Sequence, residues 1–345
     1  MRDSLRQLVL TRFREFGREP EAVFWSLAFP ILLTVGLGIA FRNRPAEVVH
    51  VAVIGDSAAV AHAITALNAS KAVAAEHLPD ADARLALRTG RIALVVNARG
   101  ANRMEYEYDE TRDDARTARL LVDDAIQRGG GRSDPVAVSQ RFIREPGSRY
   151  IDFVVPGLLG MGLMGNGIWG IGFPVVDARR KGLLKRFMAT PMSRAEYLAS
   201  FVISRFALLI IEIFLLVGFS ALAFGVPLRG SFIELTLVCA LGALAFGALG
   251  LLIAARPRTV EGASGLMNLA MMPMWILSGV FFSSENFPRA IQPFIQALPL
   301  TAVNDALRAN MLRGAGLGVV GPELAIIAAW FVGCFLIALR LFRWR

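Results

Sequence analysis

Six long apolar segments separated by polar stretches dominate the hydropathy pattern of the 345-residue chain. A helix needs about 20 mostly apolar residues to cross the hydrocarbon core of a bilayer. Each segment is close to that length, so the pattern predicts an all-α polytopic membrane protein with six transmembrane helices. The predicted spans are Val23 to Phe41, Phe153 to Val176, Phe206 to Leu228, Phe232 to Ala255, Gly262 to Phe282 and Leu324 to Phe342.

A long polar insert, residues 42–150, separates the first two predicted spans, and its pattern is that of a small α/β domain. Runs rich in β-branched residues or alternating in polarity predict strands. These runs are Val48 to Ile54, Arg91 to Val96 and Met104 to Tyr108. Helical spacing of apolar residues predicts helices over Ser57 to Asn68, Asp80 to Arg88 and Thr111 to Gln127. Strands that alternate with helices favour a partly parallel sheet.

The basic residues indicate how the spans are oriented. The chain carries 37 Lys and Arg against 28 Asp and Glu, and short loops rich in Lys and Arg face the cytoplasm. Residues 1–22, the loop 177–197, the loop after the fourth span and the C-terminal tail are the richest in arginine. Both termini are therefore predicted to be cytoplasmic and the insert extracytoplasmic. Because topology accounts for the basic charge, we expect no nucleic-acid partner.

Residues 2–19 have the pattern of an amphipathic helix at a membrane surface. Leu5, Leu8, Val9, Phe13 and Phe16 share one face, and arginines dominate the remainder. The segment is predicted to anchor the chain to the bilayer surface, and a contact with a cytoplasmic partner is the alternative.

The cytoplasmic loop 177–197 contains a second amphipathic segment, which ends near Pro191. Its apolar face consists of Leu183, Leu184, Phe187 and Met188, and the cations Lys181, Lys185 and Arg186 lie opposite. Such a segment either lies on lipid or docks in a groove of a soluble subunit and carries force into the membrane helices.

Glu212 is an ionisable residue inside the third predicted span, and Arg205 precedes it by seven residues. Seven residues are close to two helical turns, so both side chains lie on one face. A charged residue in a span costs a few kcal/mol, and it is expected to face the protein interior or water. Either a polar contact between helices or a place in a substrate pathway would explain the pair.

The segment 283–320 is too long and too apolar for an ordinary loop. Its pattern predicts short helices that dip back into the outer leaflet, broken by Pro288, Pro293 and Pro299. Such broken helices are tolerated where protein or water covers the backbone.

The motifs of several chemistries are missing from the sequence. It has no phosphate-binding loop of the form G-x-x-x-x-G-K-[ST], and no zinc-protease or serine-hydrolase motif. The histidines His50, His62 and His77 match no metal spacing, and Cys239 and Cys334 lie in apolar spans. We therefore predict a non-catalytic chain without a cofactor, driven by another subunit or by an ion gradient.

Four stretches of the chain resemble the type-2 ABC exporter permeases, in the branch that exports drugs and lipids. They are Arg18 to Trp25 with Phe29-Pro30, Phe153 to Gly157, Lys181 to Ser193, and Ser278 to Phe282 with Leu298 to Thr301. The third stretch resembles the family's segment that couples to the ATPase, although relatives often carry Glu where Lys185 stands. The insert fits the extracytoplasmic domain of that branch.

The resemblance implies a permease subunit in the bacterial cytoplasmic (inner) membrane that moves a hydrophobic or amphiphilic substrate. Its expected partners are a second permease, identical or closely homologous, and ATPase subunits that hold ATP and Mg²⁺. Two other functions are considered. A gradient-driven secondary transporter would need inverted repeats and several intramembrane carboxylates, whereas the sequence offers mainly Glu212. A membrane-anchored sensor would need neither six spans nor an amphipathic cytoplasmic loop.

Overall fold

The computed structural model describes residues 2–41, 48–100, 103–133, 135–136, 147–181, 194–257 and 259–341. The chain divides into two compact units. One consists of residues 1–42 and 143–345, and the other of residues 43–142.

The N-terminal part of the helical unit consists of α1 (Arg2–Arg18), α2 (Pro20–Val23), a π-helical turn (Phe24–Ala28) and α3 (Phe29–Ala40). Pro20 occupies the first turn of its helix, where its missing amide hydrogen costs nothing. Pro30 lacks the amide hydrogen that would bond to the carbonyl of Ser26, and a π turn is a common local adjustment to such a gap. Residues 20–40 nevertheless form one continuous apolar span.

The second unit is a four-stranded sheet covered by helices on both faces. Its elements are β1 (Val49–Gly55), α4 (Ser57–Asn68), β2 (Val73–His77), α5 (Asp80–Arg88), β3 (Leu94–Ala98), β4 (Met104–Glu107) and α6 (Asp113–Gly129). The strand order is β2-β1-β3-β4. β1 pairs in parallel with β2 and β3, and β4 is antiparallel to β3. The predicted partly parallel sheet is confirmed.

Alternating side chains of the sheet fill two cores in this unit. Val51, Val53 and Val96 pack with α4 and α6 on one face, and Ala52 and Val95 pack with α5 on the other. The predicted helices Ser57–Asn68 and Asp80–Arg88 are confirmed. Strand β2 was not predicted, and the strand predicted to begin at Arg91 begins instead at Leu94.

The remainder of the helical unit consists of seven helices and two short 3-10 turns among the described residues. The helices are α7 (Tyr150–Arg180), α8 (Arg194–Phe224), α9 (Phe232–Ala254), α10 (Val260–Leu277), α11 (Gln292–Ala297), α12 (Pro299–Arg313) and α13 (Gly321–Leu341). The 3-10 turns are Ser284–Asn286 and Arg289–Ile291.

Five helices in the described part of the chain are long and apolar enough to cross a membrane. They are Pro20–Ala40, Tyr150–Asp177, Ile203–Phe224, Phe232–Ala254 and Gly321–Leu341. The chain is thus mostly helical and polytopic, as predicted. The remaining predicted span, Gly262 to Phe282, corresponds to α10, which has 18 residues and contains Glu261 and Pro273. These polar and helix-breaking residues reduce its apolar character, so the six-helix count stays a prediction.

Helices α7 and α9 form the centre of the helical unit. Of their most apolar windows, 72% of α7 and 56% of α9 are buried, against 17% for α13. Their backbones touch at glycines: a Cβ atom added to Gly250 would lie 2.7 Å from the Ile168 carbonyl oxygen, and one added to Gly172 would lie 2.9 Å from the Gly250 carbonyl oxygen. Small residues allow such close approach between membrane helices.

Replacing Gly250 by Val should therefore destabilise the helical unit, because the new side chain meets backbone atoms that cannot move aside. Overpacking of this kind costs about 1–3 kcal/mol or more. Gly218→Val in α8 is the matched control, since nothing lies within 4 Å of a Cβ at that position. Thermal unfolding of the detergent-purified variants measures the difference. Equal stability of the two variants would contradict the close α7–α9 contact.

The segment 283–320 contains short helices, as predicted, but its prolines do not interrupt them. Pro293 and Pro299 stand in the first turns of α11 and α12, where proline is well tolerated. Pro288 precedes the second 3-10 turn. Helix α12 is largely buried and packs against α7, α9 and α13.

Candidate functional site

Most of the predicted ATPase-coupling segment lies outside the described residues. This applies to Leu183, Leu184, Lys185, Arg186, Phe187, Met188 and Pro191. Lys181 is described, and its Nζ lies 2.7 Å from Oδ2 of Asp177, one turn back in α7. The cation thus stands beside the last turn of the helix, where positive charge is favourable.

Arg179 connects the end of α7 to the end of α9. Its Nη1 donates hydrogen bonds to the carbonyl oxygens of Ala254 (3.1 Å) and Ala255 (3.4 Å). These carbonyls belong to the last turn of α9, which has no further helical partners for them. Burial lowers the pKa of the Arg179 guanidinium. The helix that leads into the predicted coupling segment is therefore fixed to its central neighbour at that end.

Glu212 and Arg205 meet at Asn166 of α7. Glu212 is buried, with 7% of its surface exposed, and its Oε2 accepts a hydrogen bond of 2.9 Å from the Asn166 amide nitrogen. The Arg205 guanidinium donates to the Asn166 backbone carbonyl. Both side chains therefore face the protein interior on one side of α8.

Ser26 extends this group to the first span. It lies in the π-helical turn, and its hydroxyl donates to Oδ1 of Asn166 at 2.9 Å. The four residues Ser26, Asn166, Arg205 and Glu212, here named the polar cluster, join three membrane helices. Hydrogen bonds between apolar helices add about 0.6–2 kcal/mol each.

Two glycines of α7 make room for the charged members of the polar cluster. A Cβ atom added to Gly162 would collide with Oε1 of Glu212, and one added to Gly170 would collide with the Arg205 guanidinium. Asn166 and Ser26 were not predicted from the sequence. The sequence signal for Asn166 is that it is a single amide inside a Gly- and Met-rich span.

A cavity of about 30 Å³ adjoins the polar cluster and is lined mainly by apolar side chains such as Leu163, Leu208 and Ala243. It has room for water, which needs about 10–15 Å³ by this measure. Ligand sites for drug-sized molecules are roughly 300–1,000 Å³. The cavity is therefore large enough for water but not for a drug-sized molecule.

The start of α7 is held by a buried carboxylate that the sequence analysis also missed. Asp152 is fully buried, and its Oδ2 accepts from the backbone amides of Gly147 (2.8 Å) and Arg149 (3.1 Å). The Arg149 side chain binds the same carboxylate and donates to the Gly225 carbonyl at the end of α8. This hydrogen bonding raises the pKa of Arg149. Phe153 to Gly157, the second of the four stretches that resemble the exporter permeases, begins directly after Asp152.

Residues 126–312, more than half of the chain, match the family described as ABC-2 type transporter. The chain belongs to that family.

Several curated proteins are similar to parts of the chain. ABC transporter G family member 20 of Dictyostelium discoideum is 26% identical over 195 residues, which are 56% of this chain and 27% of that protein. The inner membrane transport permease YhhJ of Escherichia coli is 26% identical over 173 residues, 50% of this chain and 46% of that protein. The probable multidrug ABC transporter permease YbhS of Escherichia coli is 28% identical over 182 residues, 52% and 45% of the two chains.

The matched regions span less than half the length of these relatives. The chain is a multi-pass membrane protein.

Proposed function

We propose that the chain forms the translocation pathway of an exporter for hydrophobic or amphiphilic, drug- or lipid-like molecules. A separate ATPase subunit binds ATP and Mg²⁺ and drives transport, and a second permease, identical or closely homologous, completes the pathway. The observation that carries the proposal is the family match over residues 126–312 in a chain whose sequence has no phosphate-binding loop of its own.

The surface of α10 supports an apolar substrate. Leu269 and Met272 are 70% and 59% exposed on this helix, and methionine surfaces adapt to ligands of varied shape. The name of the relative YbhS, a probable multidrug permease, points to the same substrate class.

Transport by membrane vesicles tests the proposal. Inside-out vesicles that contain the permease and its ATPase should accumulate a hydrophobic dye when ATP is supplied, and a catalytically dead ATPase should stop this accumulation. Transport that persists with the dead ATPase and collapses with the proton gradient would instead establish a secondary transporter.

The proposed orientation places six helices across the bacterial cytoplasmic (inner) membrane, with both termini in the cytoplasm and residues 42–150 outside. Reporter fusions check it, because alkaline phosphatase is active outside and a fluorescent protein folds inside. We expect outside signals at Gly100 and Gly230, and inside signals at Met188, Arg258 and Arg345. An inside signal at Gly100 would contradict the orientation.

A further inference from the structure

A second, larger cavity lies at the end of the helical unit where α7 and α13 begin. Its volume is about 590 Å³, which is within the range of about 300–1,000 Å³ typical of small-molecule sites. The proposed orientation puts this end outside. Six ionisable side chains line the cavity: Arg229, Glu285, Asp305, Arg308, Arg313 and Glu323.

Arg308 is already engaged by the protein. Its guanidinium lies 3.9 Å from the centre of the Phe153 ring and donates to the carbonyl oxygens of Gly279 and Phe153. It also lies 3.6 Å from Oδ1 of Asp305, and burial lowers its pKa to about 10. Arg308 therefore holds α12 against α7 and α10.

The carboxylates of the cavity are less well satisfied. Oε2 of Glu323 is buried without a hydrogen-bond partner in the described part of the chain, and a buried acceptor in that state is unfavourable. Partial burial, together with the neighbouring Glu323 and Glu285, raises the pKa of the half-exposed Asp305. A ligand with N–H donors would supply the missing partner of Glu323 and offset the negative charge around Asp305.

The same residues disfavour a metal ion. The described residues contain no group of three or more His, Cys, Asp or Glu that could hold one, and arginines line the same cavity. Three cationic and three anionic side chains match a ligand that carries both charges.

Helix α11 provides the polar wall of this cavity. Gln292 and Gln296 line it one helical turn apart. Phe294, on another side of the helix, and Ile291, just before the helix, are exposed. Short helices with this division lie at the boundary between lipid and water. The cavity is therefore placed at the depth of lipid head groups.

We propose that this cavity binds the zwitterionic head group of an amphiphile. A primary ammonium occupies the region of Glu323 and Asp305, and a phosphate or carboxylate occupies the region of Arg229 and Arg313. As a substrate site the cavity rests on the proposed function, but head-group binding itself needs only the permease.

Calorimetric titration of the full-length chain in detergent tests this proposal with soluble probes. Glycerophosphoethanolamine should bind saturably, whereas glycerophosphocholine, which has no N–H donor, should bind at least about tenfold more weakly. Ethanolamine and glycerol 3-phosphate, each of which carries charge of only one sign, should also bind more weakly. A phosphatidylethanolamine nanodisc analysed by native mass spectrometry tests the intact lipid: retained lipid identifies a membrane source, and its absence alongside head-group binding identifies a soluble zwitterion.

Charge-removing variants locate the site. Glu323→Gln and Asp305→Asn should each weaken glycerophosphoethanolamine binding at least about tenfold. Asp305 is 46% exposed, so Asn is tolerated there even if Glu323→Gln fails to fold. Glu261→Gln, at the opposite end of α10 from the cavity, is the control and should bind like the unmodified chain.

Three results would overturn the proposal. The first is a lack of saturable head-group binding, and the second is unchanged affinity in Asp305→Asn. The third is equal affinity for ethanolamine and glycerophosphoethanolamine, which would remove the role of the arginines. None of these measurements involves the ATPase, so failure here leaves the proposed function standing, and failure of ATP-driven transport leaves the binding result intact.

Discussion

Replacing Phe187 by Asp should abolish ATP-driven transport while the permease still inserts into the membrane. In the proposed exporter a separate subunit binds ATP, so the energy of ATP enters the permease through a protein contact. The segment from Lys181 to Ser193 joins the second and third predicted spans, and Phe187 is its largest apolar residue. Buried apolar anchors dominate such contacts, and losing one typically costs about 2 kcal/mol or more.

Lys185→Ala is the matched comparison for Phe187→Asp. Charges at the rim of an interface mainly affect the rate of encounter, so this change should cost much less. Co-purification of the ATPase measures assembly, and substrate-stimulated ATP hydrolysis measures coupling. If Phe187→Asp assembles and transports normally, the segment rests on lipid. The coupling contact must then be sought in α1 or in the loop around Arg256.

The helical unit contains a route by which movement of that segment would reach the membrane core. Arg179 lies just before it and binds the final carbonyls of α9. Along the bundle, α7 and α9 touch through Gly172 and Gly250. Helices in backbone contact move together, because packed cores resist continuous deformation. We expect the two central helices to respond to the ATPase as one body.

The helices of the helical unit were predictable because each membrane crossing must supply about 20 apolar residues in succession. The ends of these helices were less predictable. Helix α7 continues to Arg180, past the predicted end at Val176, and Asp177 pairs with Arg180 and Lys181 at this end rather than ending the helix. In the second unit, β2 was missed because the run Val73 to His77 contains one β-branched residue, and its strand pairing with β1 defines it.

Only part of the candidate site could be predicted from the sequence. Helical periodicity alone places Arg205 and Glu212 on one face. It does not say which residue of a neighbouring helix meets them, since that depends on how α7 and α8 pack. Asn166 supplies both a side-chain donor and a backbone acceptor to these two residues. Arg179 likewise donates a hydrogen bond to a carbonyl of α9 that is 75 residues away in sequence.

Glu212→Leu should destabilise the permease strongly, whereas Glu212→Gln should be tolerated. Leu removes the acceptor of the Asn166 amide and the carboxylate next to the Arg205 guanidinium, and it leaves both groups inside the bundle. Leaving a buried donor without its partner costs about 1–3 kcal/mol, and more for a charged group. Gln keeps an acceptor for Asn166 and therefore loses only the charge.

A double-mutant cycle distinguishes this explanation from simple loss of packing. Asn166→Leu should also be destabilising, because it removes the centre of the polar cluster. If Glu212 and Asn166 act on each other, the variant carrying both changes should lose less stability than the sum of the two single losses, since neither group is then left unpaired by the other. Thermal unfolding in detergent measures the three losses, and dye transport measures activity. Full stability and transport in Glu212→Leu would mean that residue 212 faces lipid or a second subunit in the working protein, and that the hydrogen bond to Asn166 does not hold the bundle together.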